Sequence, residues 1–150
     1  MTDRHVPPLP ELDTLLCFAV YSAGLAFSRV YRQQLDRLGI TYPQYLVMLV
    51  LWSEDDVPVG RLGERLSLDT NTLTPLLKRL EAMGLLTRRR AERDERRVLI
   101  ALTEKGRGLK GEATKVMRCI AEASGLSETE LSRLTAEMKA LRSNLQRFGG

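Results

Sequence analysis

Apolar residues return at steps of three and four along most of the chain, so the pattern predicts a series of helices. Leu12, Leu15, Leu16, Ala19, Ala23, Phe27 and Val30 share one helix face, and Gly39 after Leu38 supplies the left-handed cap that ends it. A second helix is predicted from near Tyr42-Pro43, where a first-turn proline loses no hydrogen bond, through the apolar stretch 45–52. The loop 53–58 ends it. A short helix at about 59–66 is followed, after about three residues, by another from near Asp69 to Met83 that Gly84 stops; this is helix-turn-helix spacing. Two strand-like runs, 85–90 and 97–102, joined by the polar turn 91–96, predict a β-hairpin. A hairpin placed there makes a winged helix.

Thr103 then N-caps a long helix with the stripe Leu109, Ala113, Val116, Ile120 and Ala123, ending near Ser124-Gly125. Ser127 and Glu130 form a capping box for the last helix, whose Leu131, Leu134, Met138, Leu141, Leu145 and Phe148 make an a/d seam. About two and a half heptads are too short for a free-standing coiled coil, so the seam is expected in a helical bundle or against a second copy of the chain. Residues 1–10, with Pro7, Pro8 and Pro10, read as a loosely ordered arm.

Composition narrows the class. With 150 residues and 43% hydrophobic positions the chain is expected to be one soluble globular domain; roughly 68–70% of an unfolded chain's surface is buried at this size, so no disulfide or structural metal is required. The apolar run 15–27 is too short to span a bilayer and follows an acidic rather than a basic segment, so neither export nor membrane insertion is expected. Two cysteines and the single histidine, His5, suit a reducing cytoplasm and neither a zinc site nor another cofactor. The net charge of +4 is unevenly placed: residues 61–97 hold ten Lys/Arg against six Asp/Glu, and the rest of the chain is balanced. Arg88, Arg89, Arg90, Arg93, Arg96 and Arg97 crowd into ten positions, which fits a polyanion partner or, since acids are interleaved, a solvated charged loop.

The second helix of a helix-turn-helix enters the major groove by its N-terminal side chains. Here these are Asp69, Thr70, Asn71, Thr72 and Thr74, followed by Lys78 and Arg79 for the phosphate backbone. Leu73, Leu76, Leu77 and Leu80 form the buried face. Pro75 leaves two registers open: inside the helix if Asp69 is the N-cap, or at its first position if Thr74 is. The wing tip presents Arg93 and Arg96 to the minor groove, with Asp94 placed to hold the Arg96 guanidinium.

Leu62-Gly63-Glu64-Arg65-Leu66, residues 73–81, Gly84-Leu85-Leu86, Asp94-Glu95-Arg96-Arg97 and Leu102-Thr103 together resemble the MarR family of winged-helix regulators. Leu16-Cys17-Phe18, residues 40–46 and Leu49-Val50-Leu51-Trp52 are similar to its organic-hydroperoxide-sensing (OhrR) branch. The resemblance covers about residues 11–110. It implies a mainly α fold with a small β wing and a single domain over 1–150. Within it, dimerisation helices are expected at about 11–40 and 103–148, and a winged helix-turn-helix lobe at about 58–102. The function implied is a homodimeric repressor of pseudo-palindromic operator DNA, not an enzyme, with an organic hydroperoxide as signal.

A thiol attacks hydroperoxide as thiolate, and an ordinary cysteine is only a few per cent ionised at neutral pH. Asp13, one turn before Cys17, opposes ionisation, and Cys17 is expected to lie beyond the reach of the helix dipole. Cys17, Tyr21, Gly24, Ser28 and Tyr31 share a stripe, but Tyr31 is about 21 Å along the helix from Cys17. If two first helices cross antiparallel at Gly24, Cys17 faces Tyr31 of the second copy. The resemblance implies that tyrosines of the opposite subunit, at Tyr31 and Tyr42, hydrogen-bond the thiolate. The bland alternative for Cys17 is a small buried hydrophobe. Cys119 reads either as core or, as in one group of these sensors, as the thiol that captures oxidised Cys17 in a disulfide. Two other functions stay in view: a repressor released by a small apolar or phenolic ligand with Cys17 incidental, and a thiol peroxidase. The latter leaves the basic winged segment unexplained.

Overall fold

The computed structural model describes residues 8–150, so His5 and most of the Pro-rich arm lie outside the described residues. The first helix starts later than its apolar stripe predicts. Leu12–Thr14 form a 3-10 turn, because the Thr14 hydroxyl and N–H both donate to the Glu11 carbonyl (2.7 and 3.0 Å). Leu15 is extended, and α1 runs Leu16–Leu35. A second 3-10 turn, Asp36–Leu38, leads to Gly39, whose φ of 70° is the expected left-handed cap.

The second helix, α2 (Tyr42–Ser53), is the centre of the core. Thr41 and Gln44 close a capping box that the periodicity did not reveal, with the Thr41 N–H donating to Gln44 Oε1 at 2.9 Å. Tyr45, Val47, Met48, Val50 and Leu51 are buried on several of its sides, against α1 and the winged segment. The segment 53–58, expected as loop, contains a two-residue strand β1 (Val57–Pro58), too short to show alternation in sequence. The helices α3 (Val59–Leu66) and α4 (Thr70–Ala82) follow. Their tight turn leaves Ser67 left-handed at φ 55° and brings Leu68 N–H to the Gly63 carbonyl at 3.0 Å.

The hairpin strands are β2 (Leu86–Ala91) and β3 (Asp94–Leu102), in the antiparallel order β1-β3-β2. β3 therefore begins three residues earlier than the run 97–102 predicts. Arg90 pairs with Val98 but Ala91 with Asp94, so residues 95–97 bulge out of register. The helix expected from Thr103 is also divided: α5 (Glu104–Gly108) and α6 (Lys110–Ser124) meet at Leu109, whose N–H bonds the Gly106 carbonyl at 3.3 Å instead of continuing the helix. Thr103 caps α5 through its hydroxyl, which accepts from Gly106 N–H at 3.0 Å. The final helix α7 (Glu128–Gly149) starts in the expected Ser127–Glu130 capping box and buries none of its residues within the chain. Among the described residues no helix is long and apolar enough to cross a membrane.

The winged segment and α5 meet at one close backbone contact. The end of α4 donates its last turn to β2 through Gly84 (φ 75°), and Thr103 N–H bonds the Leu85 carbonyl at 3.1 Å. A Cβ on Gly106 would sit 2.0 Å from that same carbonyl oxygen. Only glycine fits. Trp52 Nε1–H donates to the Gly106 carbonyl at 2.9 Å and Lys105 Nζ to the Met83 carbonyl at 2.9 Å, so α2, α4, β2 and α5 converge there. Gly106→Ala is expected to destabilise the protein by at least about 2 kcal/mol, the upper part of the range for overpacking a tight site. Gly111→Ala, whose Cβ meets nothing within 4 Å, is expected to be tolerated; urea unfolding of the two variants checks both.

Candidate functional site

The exposed face of the winged segment is built on α4. Leu73, Leu77 and Leu80 are buried, each worth about 1.5–3 kcal/mol on full burial, and Leu76 is half-buried. That fixes Thr70, Asn71, Thr72, Lys78 and Arg79 on the exposed side, with Thr74 half-buried. Asp69 is the N-cap. Its carboxylate accepts from Thr72 N–H at 2.8 Å, and that backbone bond, with others from Thr72 and Asn71, holds its pKa below the ordinary carboxylate value. The register left open by Pro75 is thereby decided: the proline lies inside α4, where it removes the N–H due to the Asn71 carbonyl.

Between α3, α4 and the hairpin lies a cleft of about 700 Å³ whose lining includes Arg61, Thr70, Thr74, Arg88, Arg96 and Arg97. Carboxylates sort the arginines into two kinds. Glu81 accepts from the Arg88 guanidinium at 3.0 and 3.2 Å and from Arg88 N–H at 3.0 Å, which lowers its pKa. Asp56 takes both its bonds from Arg89 at 2.9 Å, and Glu54 joins Arg61 and Arg65 at 3.0 and 2.8 Å. Arg93, Arg96 and Arg97 are exposed and have no ion pair among the described residues. Asp94 does not hold the Arg96 guanidinium as expected. Its carboxylate accepts from Arg96 backbone N–H at 3.1 Å, an Asx turn that shapes the bulge.

Cys17 is exposed and is the second residue of α1, so it lies within the first turn and not beyond it. No side chain caps this helix, and first-turn N–H groups have no acceptor inside a helix, so negative charge is favoured at this end. The sequence expectation failed because the stripe from Leu12 concealed the break at Leu15. The exposure of Cys17 itself excludes the buried-hydrophobe reading within the chain, and Tyr21 one turn on is 65% exposed. Cys119, half-buried on α6, is likewise a free thiol.

At the far end of α1, the rings of Tyr31 and Tyr42 lie 4.4 Å apart between centroids, tilted by 42°. With Gly24, Phe27 and Ser28 they line an open pocket of about 340 Å³. Burial, with smaller contributions from Tyr42 and Tyr45, pushes the Tyr31 phenol up to about 12, and burial also raises that of Tyr42. Both remain protonated donors at neutral pH. Beside the pocket, Leu16, Val20, Phe27, Leu134, Leu141 and Leu145 border an apolar groove of about 760 Å³ between α1 and α7. No group of three or more His, Cys, Asp or Glu among the described residues is placed to hold a metal ion.

Residues 29–113 match the family model described as transcriptional regulator SarA/Rot. The chain is 48% identical over 140 residues to the HTH-type transcriptional regulator TtmR of Methylorubrum extorquens, covering 93% of this chain and 72% of that protein. It is 44% identical over 131 residues to the organic hydroperoxide resistance transcriptional regulator of Bacillus subtilis, covering 87% and 89%. The structure of reduced AbfR bound to DNA superposes with a TM-score of 0.78 at 35% identity, over 93% of this chain and 95% of that one. The disulfide-formed AbfR superposes at 0.67 and 35%, over 87% and 91%.

The raised phenol gives a pH dependence whose sign is fixed. A group with a folded pKa of about 12 against 10.0 unfolded holds its proton more tightly when folded. Its contribution to stability is complete below pH 10 and is lost as the pH rises from 10 to 12. Phenolate absorbance is expected to show late titration of Tyr31, Tyr42 and Tyr45, with the component near 12 absent in Tyr31→Phe, and the variant's unfolding free energy is expected to fall less steeply across that window.

Proposed function

The chain belongs to the MarR-like SarA/Rot family of winged-helix transcriptional regulators, and from that premise we propose a homodimeric repressor that releases operator DNA when an organic hydroperoxide oxidises Cys17. The observation that carries this reading is the separation, along one helix, of an exposed thiol from two protonated phenols that share an open pocket. Cys17 stands seven residues before Gly24 and Tyr31 seven after it. An antiparallel crossing of two α1 helices at Gly24, where a Cβ would meet nothing within 4 Å, brings the thiol of each copy to the pocket of the other. The α1–α7 groove and the uncovered seam of α7 supply the apolar surface for that pairing.

In the dimer the two phenols donate to the thiolate, each charge-assisted bond contributing about 1.5–3 kcal/mol. The thiolate attacks the peroxide's terminal oxygen; the O–O bond breaks, an S–O bond forms, and the alkoxide leaves and takes a proton to become the alcohol. Cys17 is then a sulfenic acid, oxidised by two electrons. Attack by the Cys119 thiol forms the disulfide and releases water. The Bacillus relative's name and the DNA-bound and disulfide forms of AbfR support this reading. DNA is held by Thr70, Thr72, Thr74, Lys78 and Arg79 from α4 and by Arg93 and Arg96 from the wing, the last two entering the minor groove. Asp69 and Asp94 serve by shaping the backbone that presents these side chains.

Cys17→Ser is expected to bind operator as tightly as wild type and to ignore cumene hydroperoxide; release of the variant by peroxide sinks the redox reading and favours a ligand-released repressor. Tyr31→Phe is expected to slow sulfenic acid formation about tenfold or more, the equivalent of one charge-assisted bond. Arg96→Ala is expected to lower operator affinity and reduce the slope of log K against log salt by about one, with no fall in melting temperature. A monomer in sedimentation at assay concentration contradicts the dimer.

A further inference from the structure

The pocket that holds Tyr31 and Tyr42 is the first member of a row of rings. Tyr31 lies 5.8 Å from Tyr45, and Tyr45 lies 6.3 Å from Trp52 in an edge-on arrangement of 68°. Tyr45 is fully buried, and its hydroxyl donates to the Ala113 carbonyl of α6 at 3.3 Å. The row ends at Trp52, whose indole N–H donates to the carbonyl of Gly106. Gly106 is the residue pressed against Leu85, at the contact between the end of α4 and the start of α5. One continuous set of contacts thus runs from the pocket to the junction of α5 with the segment that joins α4 to β2. Each ring is confined by its neighbours, so a reseating of Tyr31 or Tyr42 displaces the next, and an indole has a single donor whose loss is a discrete event.

We propose that Trp52 is a positioning residue: its bond to Gly106 clamps the winged segment in the DNA-competent orientation, and oxidation at the tyrosine pocket releases that clamp through the ring row. The release step rests on the redox reading above, whereas the clamp belongs to the reduced protein.

Trp52 is the chain's single tryptophan, so its emission reports the clamp in the unaltered dimer. One equivalent of cumene hydroperoxide is expected to shift that emission along with DNA release. Unchanged emission when Cys17 is oxidised and DNA is released overturns the proposal. In Trp52→Phe, which keeps a ring and loses the donor, mass spectrometry is expected to show wild-type oxidation of Cys17. The fold-loss of operator affinity on oxidation is expected to be at least tenfold smaller than in wild type. A loss equal to wild type overturns the proposal. If the wild-type protein oxidises at Cys17 and keeps its DNA, the redox reading fails, and the clamp is decided by the reduced protein alone. Amide exchange at Arg107 and Leu109, the backbone donors that close α5, is expected to speed up at least tenfold in Trp52→Phe. Unchanged exchange there overturns the clamp.

Discussion

The carbonyl oxygen of Leu85 occupies space that any side chain at residue 106 would need, and the arrangement of the molecule depends on that approach. It sets the connection between α4 and β2 directly on the first turn of α5. The same oxygen accepts from Thr103 N–H, and the Gly106 carbonyl opposite accepts from Trp52, so both of these crowded carbonyls have partners. A recognition helix is useful only if its angle to the rest of the molecule is defined. Here the apolar face of α4, Leu73, Leu77 and Leu80, seats the helix in the common core, and the backbone contact at Gly106 adds a close constraint just beyond its C-terminal end.

Electrostatics divides one run of arginines between two tasks. Arg88 and Arg89 are held by Glu81 and Asp56, which tie the base of the hairpin to α4 and to the segment before β1. These pairs are partly exposed, so their value is chiefly geometric. Further out, among the described residues, no carboxylate forms an ion pair with Arg93, Arg96 or Arg97. Asp94 uses its oxygen on backbone, and Arg93, Arg96 and Arg97 stand at the tip with exposed charge. A basic stretch that appears uniform in sequence is a fixed base and a tip available to a polyanion.

The first helix acts as a ruler. It places an exposed thiol at its uncapped N-terminal turn and a phenol pocket fourteen residues on, too far apart to meet in one copy. Burial that raises the phenol pKa values keeps both groups as donors over the whole physiological range. The chemistry proposed for this site is therefore a property of two chains, and α7 buries none of its residues within one.

Most of the helices were legible because burial on one face imposes a period on the sequence: α3 and α4 appear where the pattern places them, as do the caps at Gly39, Thr103 and Ser127. The charge asymmetry, Cys17 and the tyrosine stripe were equally visible, being matters of residue type and spacing. What escaped was whatever depends on groups distant in sequence. The strand β1 exists only because β3 is there to pair with it. The break before Leu16 is decided by one local hydrogen bond of Thr14 that competes with the apolar stripe, and it moves Cys17 into the first turn. The roles of Arg88, Arg89 and Asp94 follow from partners that spacing alone does not name. The apolar pattern does not single out Gly106; only the packing of Leu85 against it shows that the missing side chain is the requirement, because a close approach between backbones carries no periodicity of its own.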